Sequence, residues 1–294
     1  VQQNFNGTGI LSVLSQCRFL CSNNVIAIYM SDKPTWHWRY VLYRIYGVRV
    51  IVVHDHTPGT RSLAKGLRRL FKKTIHRLPW LPVDAAIGAT EYVRQRLIEV
   101  NCLPPDRCYA APNGLPPAPE NLEQIDLHAL FCIPDHRKIL IMTGRADHYK
   151  GIDFVLKALA LLKTLGESSF HFVFVGDGPQ LQLFNEDACN LGLAAHVTFA
   201  GKRNDISGLL LGADVAVHFS KGEVGYSLSI LEYMRAGLPV VVPDNPSVCG
   251  LTEHEVTGLV YQEGDPQDAM QSIRRLLNDS DLRNRLGSQA KVAV

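Results

Sequence analysis

Short apolar runs alternate with segments of helical spacing along this chain, and that alternation limits the folds open to it. Clear runs are 25–30, 48–53 and 138–142, and each leads on to a stretch in which apolar residues recur every three or four positions. Strands that alternate with helices indicate parallel βαβ units with right-handed crossovers. The sequence therefore predicts an α/β fold in which ligands lie beyond the carboxyl ends of the strands.

Proline and turn residues interrupt the alternation between positions 104 and 119. We therefore predict an N-terminal domain over residues 1–112, a connection over 113–136 with one short helix near Leu127, and a C-terminal domain over 137–294. A chain of 294 residues, 46% of them hydrophobic, is long enough to build two such domains.

The balance of charge and cysteine narrows the classes of function. The formal net charge is +2 at pH 7, so we expect no nucleic-acid partner and no global attraction to membranes. The seven cysteines show no Cys-x-x-Cys pair and no ligand cluster with histidine, which predicts free thiols in a reducing, cytoplasmic compartment. Carboxylates with the spacing of a divalent-metal site are not found, and we expect no obligatory metal or other cofactor.

One segment departs from this even balance of charge. Between His56 and Val83 there is no acidic residue, and residues 61–78 combine apolar positions at helical spacing with seven basic residues: Arg61, Lys65, Arg68, Arg69, Lys72, Lys73 and Arg77. A basic amphipathic helix of this kind can lie on an anionic membrane surface, where each cation contributes about 1 kcal/mol. The pattern is equally typical of a solvated helix face packed on its own sheet, or of a site that captures an anionic acceptor.

The stretch from Gly222 to Glu232 carries the clearest signal of chemistry. It follows a short apolar run at 213–219 and opens a helical run at 228–236, so it has the pattern of strand, glycine loop and helix. A glycine at the mouth of a helix lets a phosphate approach backbone N–H groups, and the helix start carries about half a positive charge. Glu232 is then within reach of a sugar hydroxyl attached to that phosphate. The competing interpretation is a loop and helix whose carboxylates are merely solvated.

Two cations follow the first strand of the second half, Arg145 and Lys150. Because parallel strands present their carboxyl ends on one side of a sheet, we expect this loop and the glycine stretch to face one cleft. A guanidinium fork and a mobile ammonium can together neutralise a departing diphosphate. The motif at 176–179 is weaker, although it could let a nucleobase stack against backbone. His54, at a strand end of the first half, could meet a sugar hydroxyl, although a lone histidine is more often structural.

Several ordered motifs of the second half resemble the retaining GT-B glycosyltransferases of family 4. The motifs are Gly144-Arg145 with Lys150-Gly151, Gly176-Asp177-Gly178-Pro179, Phe199-Ala200-Gly201, Gly225-Tyr226-Ser227 with Glu232, Ala236-Gly237-Leu238-Pro239-Val240-Val241 and Thr257-Gly258-Leu259-Val260. The likeness is dense over residues 138–290. In the first half it is looser and depends on Val52-Val53-His54 and Pro112-Asn113-Gly114.

The resemblance implies two Rossmann-like domains facing a cleft, with a nucleotide-diphosphate sugar held mainly by the C-terminal one. It implies a retaining hexosyltransferase with a glycan or lipid-linked acceptor. The basic segment at 61–78 adds the expectation of surface-polysaccharide or glycoconjugate synthesis at the inner face of the membrane. The residues it implicates are Arg145 and Lys150 at the diphosphate, Gly225, Tyr226 and Ser227 as backbone donors to it, Glu232 at the ribose and His54 at the donor sugar, with Gly144, Gly176 and Gly178 completing the donor site. Front-face attack is implied, so no protein nucleophile is expected.

The chain departs from the family pattern in two respects. The family usually places seven residues between two glutamates, whereas Glu223 and Glu232 are separated by eight and Val224 occupies the usual first position. We expect the loop to bulge so that Glu223 still reaches the sugar; the alternative is that the sugar is held differently. The family's first strand, its glycine-rich loop and its closing helix are not visible, which predicts a fragment truncated at both ends and poorly active.

Two other functions share part of this pattern. A non-catalytic module that binds nucleotide-sugars would fit the displaced glutamate and the missing start. A GT-B sugar-nucleotide epimerase would need a second set of carboxylates or histidines acting on the sugar ring, and only the shared fold supports it.

Overall fold

The computed structural model describes residues 5–57, 61–117, 122–222 and 227–294. The chain divides into two compact units, Val1–Asn113 and Gly114–Val294. Each unit is a parallel sheet with helices packed on it, which confirms the predicted α/β fold class. All seven cysteines carry free thiols.

The first unit alternates helices and strands along its described residues. In chain order they are α1 (Ile10–Ser22), β1 (Ala27–Ser31), α2 (Trp38–Ile45), β2 (Val50–Asp55), α3 (Gly66–Ile75), β3 (Ala85–Gly88), α4 (Glu91–Glu99) and β4 (Cys108–Ala110). The strands form one sheet in the order β1-β2-β3-β4, and all are parallel. The register sets His54 of β2 between Ser31 of β1 and Ile87 of β3.

Local sequence accounts for several of these elements. Thr90 caps α4, as predicted, because its hydroxyl accepts a hydrogen bond from the Val93 N–H at 3.2 Å. Strand β4 was not predicted, since it has only three residues and follows a proline-rich turn, too short for a two-residue period to show. The core packs α1, α2 and α4 against the sheet through Val13, Tyr43 and Leu97, one from each helix and all fully buried.

The second unit has the longer alternation. Its elements are α5 (Leu127–Phe131), β5 (Lys138–Thr143), α6 (Ile152–Thr164), β6 (Phe170–Val175), α7 (Leu181–Asn190), β7 (Val197–Phe199), α8 (Ile206–Leu211), β8 (Val215–Val217), α9 (Leu228–Arg235), β9 (Val240–Pro243), β10 (Gly258–Tyr261), α10 (Pro266–Asn278) and α11 (Ser280–Val292). Helix α8 and strand β10 were not predicted, because both are short and contain or begin with glycine.

All six strands of the second unit are parallel, in the order β10-β9-β8-β5-β6-β7. Counted from the first strand of the unit this is the order 3-2-1-4-5-6 of dinucleotide-binding folds, which reverses between β5 and β8. Alternate side chains of β5 and β6 enter two separate cores, one beneath α6 and α10, the other beneath α8 and α9. The unit is therefore a sheet between two layers of helices.

The segment predicted to connect the domains packs partly on the second unit. The Ile125 N–H donates to the carbonyl of Gly208 at 3.1 Å, and a Cβ at Gly208 would lie 2.8 Å from the Glu123 carbonyl oxygen. Farther along the segment, Leu127 of α5 is fully buried.

A buried histidine makes the stability of the second unit depend on pH. The Nε2 of His171 in β6 lies 2.8 Å from the Thr198 hydroxyl, and its Nδ1 faces the Arg137 guanidinium at 3.5 Å. Arg137 can only donate, so the imidazole is held neutral. Burial, Arg137 and His196 together lower the pKa of His171 to about 4.

We expect the free energy of unfolding to fall as the pH drops from 6.5 towards 4. In this range His171 is protonated in the unfolded chain but stays neutral in the native protein, so protonation favours unfolding. The loss attributable to this group is on the order of 3 kcal/mol. His171→Gln should therefore be less stable than the parent at pH 7 but lose less stability by pH 4.5. The measurement is urea unfolding at both pH values followed by circular dichroism. Exposed His136→Gln is the control, and an equal pH slope in parent and His171→Gln would contradict the assignment.

Candidate functional site

The reversal of strand order in the second unit marks the candidate site. The loop after β5 (144–151) leads to α6 on one face of the sheet, and the loop after β8 (218–227) leads to α9 on the other. Loops that part in this way leave a crevice at the carboxyl edge of the sheet, where ligands of such folds bind. These are the two loops that the sequence predicted to face one ligand.

The β5 loop carries one buried and one exposed cation. Lys150 is buried, and its Cε packs 3.7 Å from the position a Cβ would take at Gly144. Its ammonium group lies 5.2 Å from the centre of the Tyr149 ring. The side chain of Arg145 is 66% exposed, and its Nε is 3.9 Å from a carboxylate oxygen of Asp147. Lys150 is thus held in place while Arg145 can adjust to a ligand.

The β5 and β8 loops are joined by backbone contacts. The Lys221 N–H donates to the Tyr149 carbonyl at 2.8 Å, and the Ser220 hydroxyl donates to the same oxygen at 3.2 Å. Gly151 has φ +72°, and a Cβ there would lie 2.0 Å from the Phe219 carbonyl oxygen. Only glycine permits this approach, so the two loops are held together at their bases.

Two hydroxyls tie α9 to the end of β5, Ser229 in the first turn of the helix and the buried Tyr233 one turn later. The Thr143 N–H donates to Tyr233 Oη at 2.6 Å, and that hydroxyl lies 3.3 Å from the Thr143 carbonyl oxygen. Ser229 adds a bond from its hydroxyl to the same carbonyl at 3.4 Å. Burial raises the pKa of Tyr233 to about 12, so the hydroxyl keeps its proton. Helix α9 therefore begins beside the first residues of the Arg145 loop.

Ser227 and Glu232 lie on this helix. Ser227 is the buried residue before α9, and its carbonyl accepts the Leu231 N–H at 3.1 Å. Glu232 is half-buried, and burial raises its pKa although Arg235 opposes the shift. Among the described residues no hydrogen bond to its carboxylate forms.

The loop after β6 packs against the loop after β5. A Cβ at Gly176 would lie 1.7 Å from the Gly144 carbonyl oxygen, and one at Gly178 would lie 2.4 Å from the Ala146 carbonyl oxygen. The Ala146 N–H donates to the Asp177 carbonyl at 2.9 Å. Close backbone packing therefore explains both glycines, and their predicted contact with the donor stays a prediction.

His54 lies in the first unit, at the end of β2. It is buried, its Nδ1 is hydrogen-bonded to the Tyr29 hydroxyl, and its ring centre is 3.9 Å from that of His56. Burial and His56 lower its pKa, so the imidazole is neutral at pH 7. Its Nε2 has no hydrogen-bond partner in the part of the chain that the structure describes. The next residue, Asp55, is fixed by a buried ion pair with Arg96 at 3.2 Å.

Sequence reasoning singled out His54 but missed the residues that hold it. Tyr29 is brought to His54 by the parallel pairing of β1 with β2, and His56 stacks on it from two positions along the chain, while Arg96 of α4 holds the neighbouring Asp55. The His54-Asp55-His56 spacing was a signal for His56, whereas nothing local pointed to Tyr29.

Three predicted site residues, Glu223, Gly225 and Tyr226, lie outside the described residues. The proposed bulge at Val224 lies there as well. Their roles, and the choice between the two ways of holding the sugar, stay predictions. Within residues 5–57, 61–117, 122–222 and 227–294, no three histidine, cysteine, aspartate or glutamate side chains gather as metal ligands would. Metal independence likewise stays a prediction.

The basic segment has a second candidate surface. Of the residues in α3 only Ile75 is buried, whereas Leu67, Leu70 and Phe71 are 85%, 61% and 57% exposed. These three apolar side chains are therefore left outside the core, and Ile75 alone among the residues of α3 enters it. In the described parts of the chain, no helix has both the length and the apolar character needed to cross a lipid bilayer.

Comparisons with known proteins agree with this geometry. The sequence profile of the family described as "Glycosyl transferases group 1" matches residues 126–293, more than half of the 294-residue chain. An uncharacterized glycosyltransferase of Methanocaldococcus jannaschii is 27% identical over 76% of this chain and 59% of its own length. The lipopolysaccharide glucosyltransferase WaaG of Escherichia coli is 30% identical over 61% of this chain and 49% of its own. The chain thus spans roughly half of the length of these relatives.

Among solved structures, Anabaena HepE in complex with UDP superposes with a TM-score of 0.75 at 19% identity. The match covers 96% of this chain and 77% of HepE. This likeness shows that the fold is that of GT-B glycosyltransferases, as predicted.

Tyr233→Phe should lower the free energy of unfolding by about 1–3 kcal/mol, because the buried Thr143 N–H loses its acceptor. Tyr109→Phe is the control: this exposed hydroxyl donates to the Asp106 carbonyl at 3.1 Å, and its loss should change stability by no more than about 0.5 kcal/mol. Urea unfolding followed by circular dichroism is the measurement, since all three tryptophans lie in the first unit. Equal effects of the two substitutions would contradict the structural role of Tyr233.

Proposed function

The chain belongs to the glycosyl transferases group 1 family, and from this premise we propose that it transfers a hexose from a nucleotide-diphosphate sugar to a glycan or lipid-linked acceptor. The observation that carries the proposal is the meeting of the Arg145 and Lys150 loop with the start of α9 at the reversal of strand order. Two cations and a helix N-terminus there form a site of positive potential suited to a diphosphate. The UDP bound to HepE supports a uridine nucleotide in particular.

Each residue has a proposed role at the donor. Lys150 places a fixed charge at the diphosphate, and Arg145 closes on it with a planar fork. Ser227, together with Gly225 and Tyr226, offers backbone N–H groups to it. Glu232 accepts hydrogen bonds from the ribose hydroxyls. Gly144, Gly176 and Gly178 let the loops approach the nucleotide closely.

The proposed reaction retains the configuration at the anomeric carbon. The acceptor oxygen forms a bond to that carbon on the face from which the diphosphate leaves, while the bond from carbon to phosphate oxygen breaks. The acceptor proton passes to the departing phosphate, whose added charge Arg145 and Lys150 stabilise. Neutral His54 contacts the donor sugar through Nε2, and Glu223 holds the same sugar. No metal or other cofactor is proposed.

The two other functions make different demands on these residues. A non-catalytic binding module would use Arg145 and Glu232 for affinity alone, and no turnover would be seen in any version of the protein. A sugar-nucleotide epimerase would change the donor in the absence of an acceptor. We favour transfer because Arg145 and Lys150 share the loop proposed to hold the diphosphate leaving group, and only the shared fold supports an epimerase.

A second part of the proposal places the protein on the inner face of an anionic membrane. The exposed apolar side chains of α3 have cations on both sides along the helix, which is the composition of interfacial helices. All three tryptophans, Trp36, Trp38 and Trp80, are at least 37% exposed in the same unit, and Trp36 contacts Phe71 edge to face. Tryptophan is enriched at membrane interfaces. The lipopolysaccharide acceptor named for WaaG supports an acceptor held at such a surface.

Addition of UDP or a UDP-sugar should raise the melting temperature of the second unit, because a ligand of the native state stabilises it. Arg145→Ala should weaken the affinity about tenfold or more, since a charge-assisted hydrogen bond contributes about 1.5–3 kcal/mol. A thermal-shift titration measures both effects, and GDP and ADP forms test the choice of nucleobase. Lys157→Ala removes an equally exposed cation from α6 and is the matched control.

The outcomes separate the parts of the donor proposal. A folded chain that responds to no nucleotide contradicts donor binding as a whole. A response that Arg145→Ala leaves unchanged contradicts the role of Arg145 alone. Where turnover is found, NMR of the first-formed product should show the anomeric configuration of the donor, and an inverted product would exclude the retaining step.

Vesicles containing anionic lipid should shift the tryptophan emission of the chain to the blue at low salt, and brominated acyl chains should quench it. Leu67→Ser combined with Leu70→Ser should weaken vesicle binding by tenfold or more, since about 1.5 kcal/mol or more is lost for each apolar side chain withdrawn. Leu165→Ser in the second unit, 55% exposed, is the control and should change nothing. Absence of any vesicle-dependent change would remove the membrane from the proposal.

A further inference from the structure

A basic cavity of about 310 Å³ lies beside α3 in the first unit. Arg69, Lys73 and Arg77 form one wall, and Ile98, Leu103 and Pro104, at and after the end of α4, form the opposite wall. The volume is at the lower end of ligand-binding pockets, so it suits a head group better than a whole lipid. No role in donor binding or transfer has been given to this cavity.

Arg69 and Lys73 lie on one side of α3 because their positions are four residues apart, and Arg77, which follows the end of the helix, lines the same cavity. In the described ranges, no carboxylate lies within ion-pair distance of any of them. Glu99 also lines the cavity, but its carboxylate already accepts a hydrogen bond from the Gln95 amide at 2.6 Å. Three cations therefore face a cavity that holds one carboxylate, which leaves a net positive charge for an external anion.

The other four cations of the same segment do not line the cavity, and two of them serve the fold. Lys72 donates to the Val100 carbonyl at 2.7 Å, and burial lowers its pKa. Arg61 donates to the Thr57 hydroxyl at 2.6 Å. Lys65 and Arg68 are exposed and do not line the cavity. The segment thus separates structural cations from those that face the cavity.

The apolar side chains next to the cavity indicate where its ligand comes from. Leu70 precedes Lys73 by one helical turn and is exposed, so it borders the basic wall, and exposed Phe71 lies farther round the helix because it is two positions from both Arg69 and Lys73. A phosphate free in water would need the cations but not these neighbours. A lipid whose head group enters the cavity has acyl chains at the level of the apolar side chains, so one ligand uses both features.

We propose that this cavity binds the phosphate head group of an anionic membrane lipid while Leu67, Leu70 and Phe71 enter the surface of the bilayer. Arginine forks bind phosphate oxygens bidentately and lysine adds a point charge, a combination matched to phosphate more closely than to carboxylate. The inference rests on the proposed membrane contact and adds to it a specific ligand and a specific pocket.

The test compares two vesicle populations of equal surface potential, one with phosphatidic acid and one with oleic acid, each in phosphatidylcholine. The native chain should bind the phosphatidic acid vesicles about fivefold more tightly, a preference equivalent to one cation contact. Arg69→Gln combined with Lys73→Gln should abolish the preference. Lys65→Gln combined with Arg68→Gln removes the same charge outside the cavity, so it should weaken both affinities and keep the preference. Tryptophan quenching by brominated lipid is the readout.

Each outcome decides a separate point. No binding to either vesicle overturns the membrane contact and this inference together. Binding without a phosphate preference, or a preference that both double variants lose equally, overturns the pocket alone and leaves the membrane contact standing. A thermal-shift titration with glycerol 3-phosphate forms the soluble arm. If it binds the native chain as tightly as the vesicles do, the ligand is a free phosphate ester and the lipid assignment is overturned.

Discussion

The hydrogen bonds between the Tyr233 hydroxyl and the main chain of Thr143 set the geometry of the candidate site. Thr143 ends β5 and precedes the Arg145 loop, while Tyr233 follows Glu232 directly on α9. One buried contact therefore positions both the loop of Arg145, proposed to bind the diphosphate, and the helix of Glu232, proposed to bind the ribose. In a low-dielectric interior such a bond is stronger than in water, and an unpaired group there is correspondingly unfavourable. The core therefore sets the spacing of the end of β5 and α9, the two segments that carry these residues.

Backbone makes up much of the rest of the site. Gly151 and Gly176 each approach a carbonyl so closely that a side chain would displace a loop. The positively charged side chains are then added to a framework whose shape does not depend on them. This division explains why Arg145 can be exposed and adjustable while the loop that carries it is held on both sides, by the β6 loop and by the β8 loop.

The sequence was enough to predict the α/β class, most of the strands and the two loops of the site. It could not show the strand order, so the reversal between β5 and β8 needed the structure. Elements as short as β4, α8 and β10 contain too few residues for a period to appear. The partners of His54 depend on pairing between distant strands, as with Tyr29. For α3, the periodicity of the sequence defined an apolar and a basic face but not which of them packs on the rest of the unit. That is decided by the burial of Ile75 and by the hydrogen bond from Lys72 to the Val100 carbonyl.

The outward apolar side of α3 also affects how the chain behaves in water without a membrane. Two copies could cover Leu67 and Phe71 by pairing these sides, as exposed apolar patches tend to do. The surrounding cations oppose such pairing, because like charges repel across the same surface. Salt weakens this repulsion and strengthens apolar association, while it weakens the attraction to anionic lipid. High ionic strength is often chosen to keep basic proteins in solution. For this protein it would favour self-association through α3 and at the same time release the protein from vesicles.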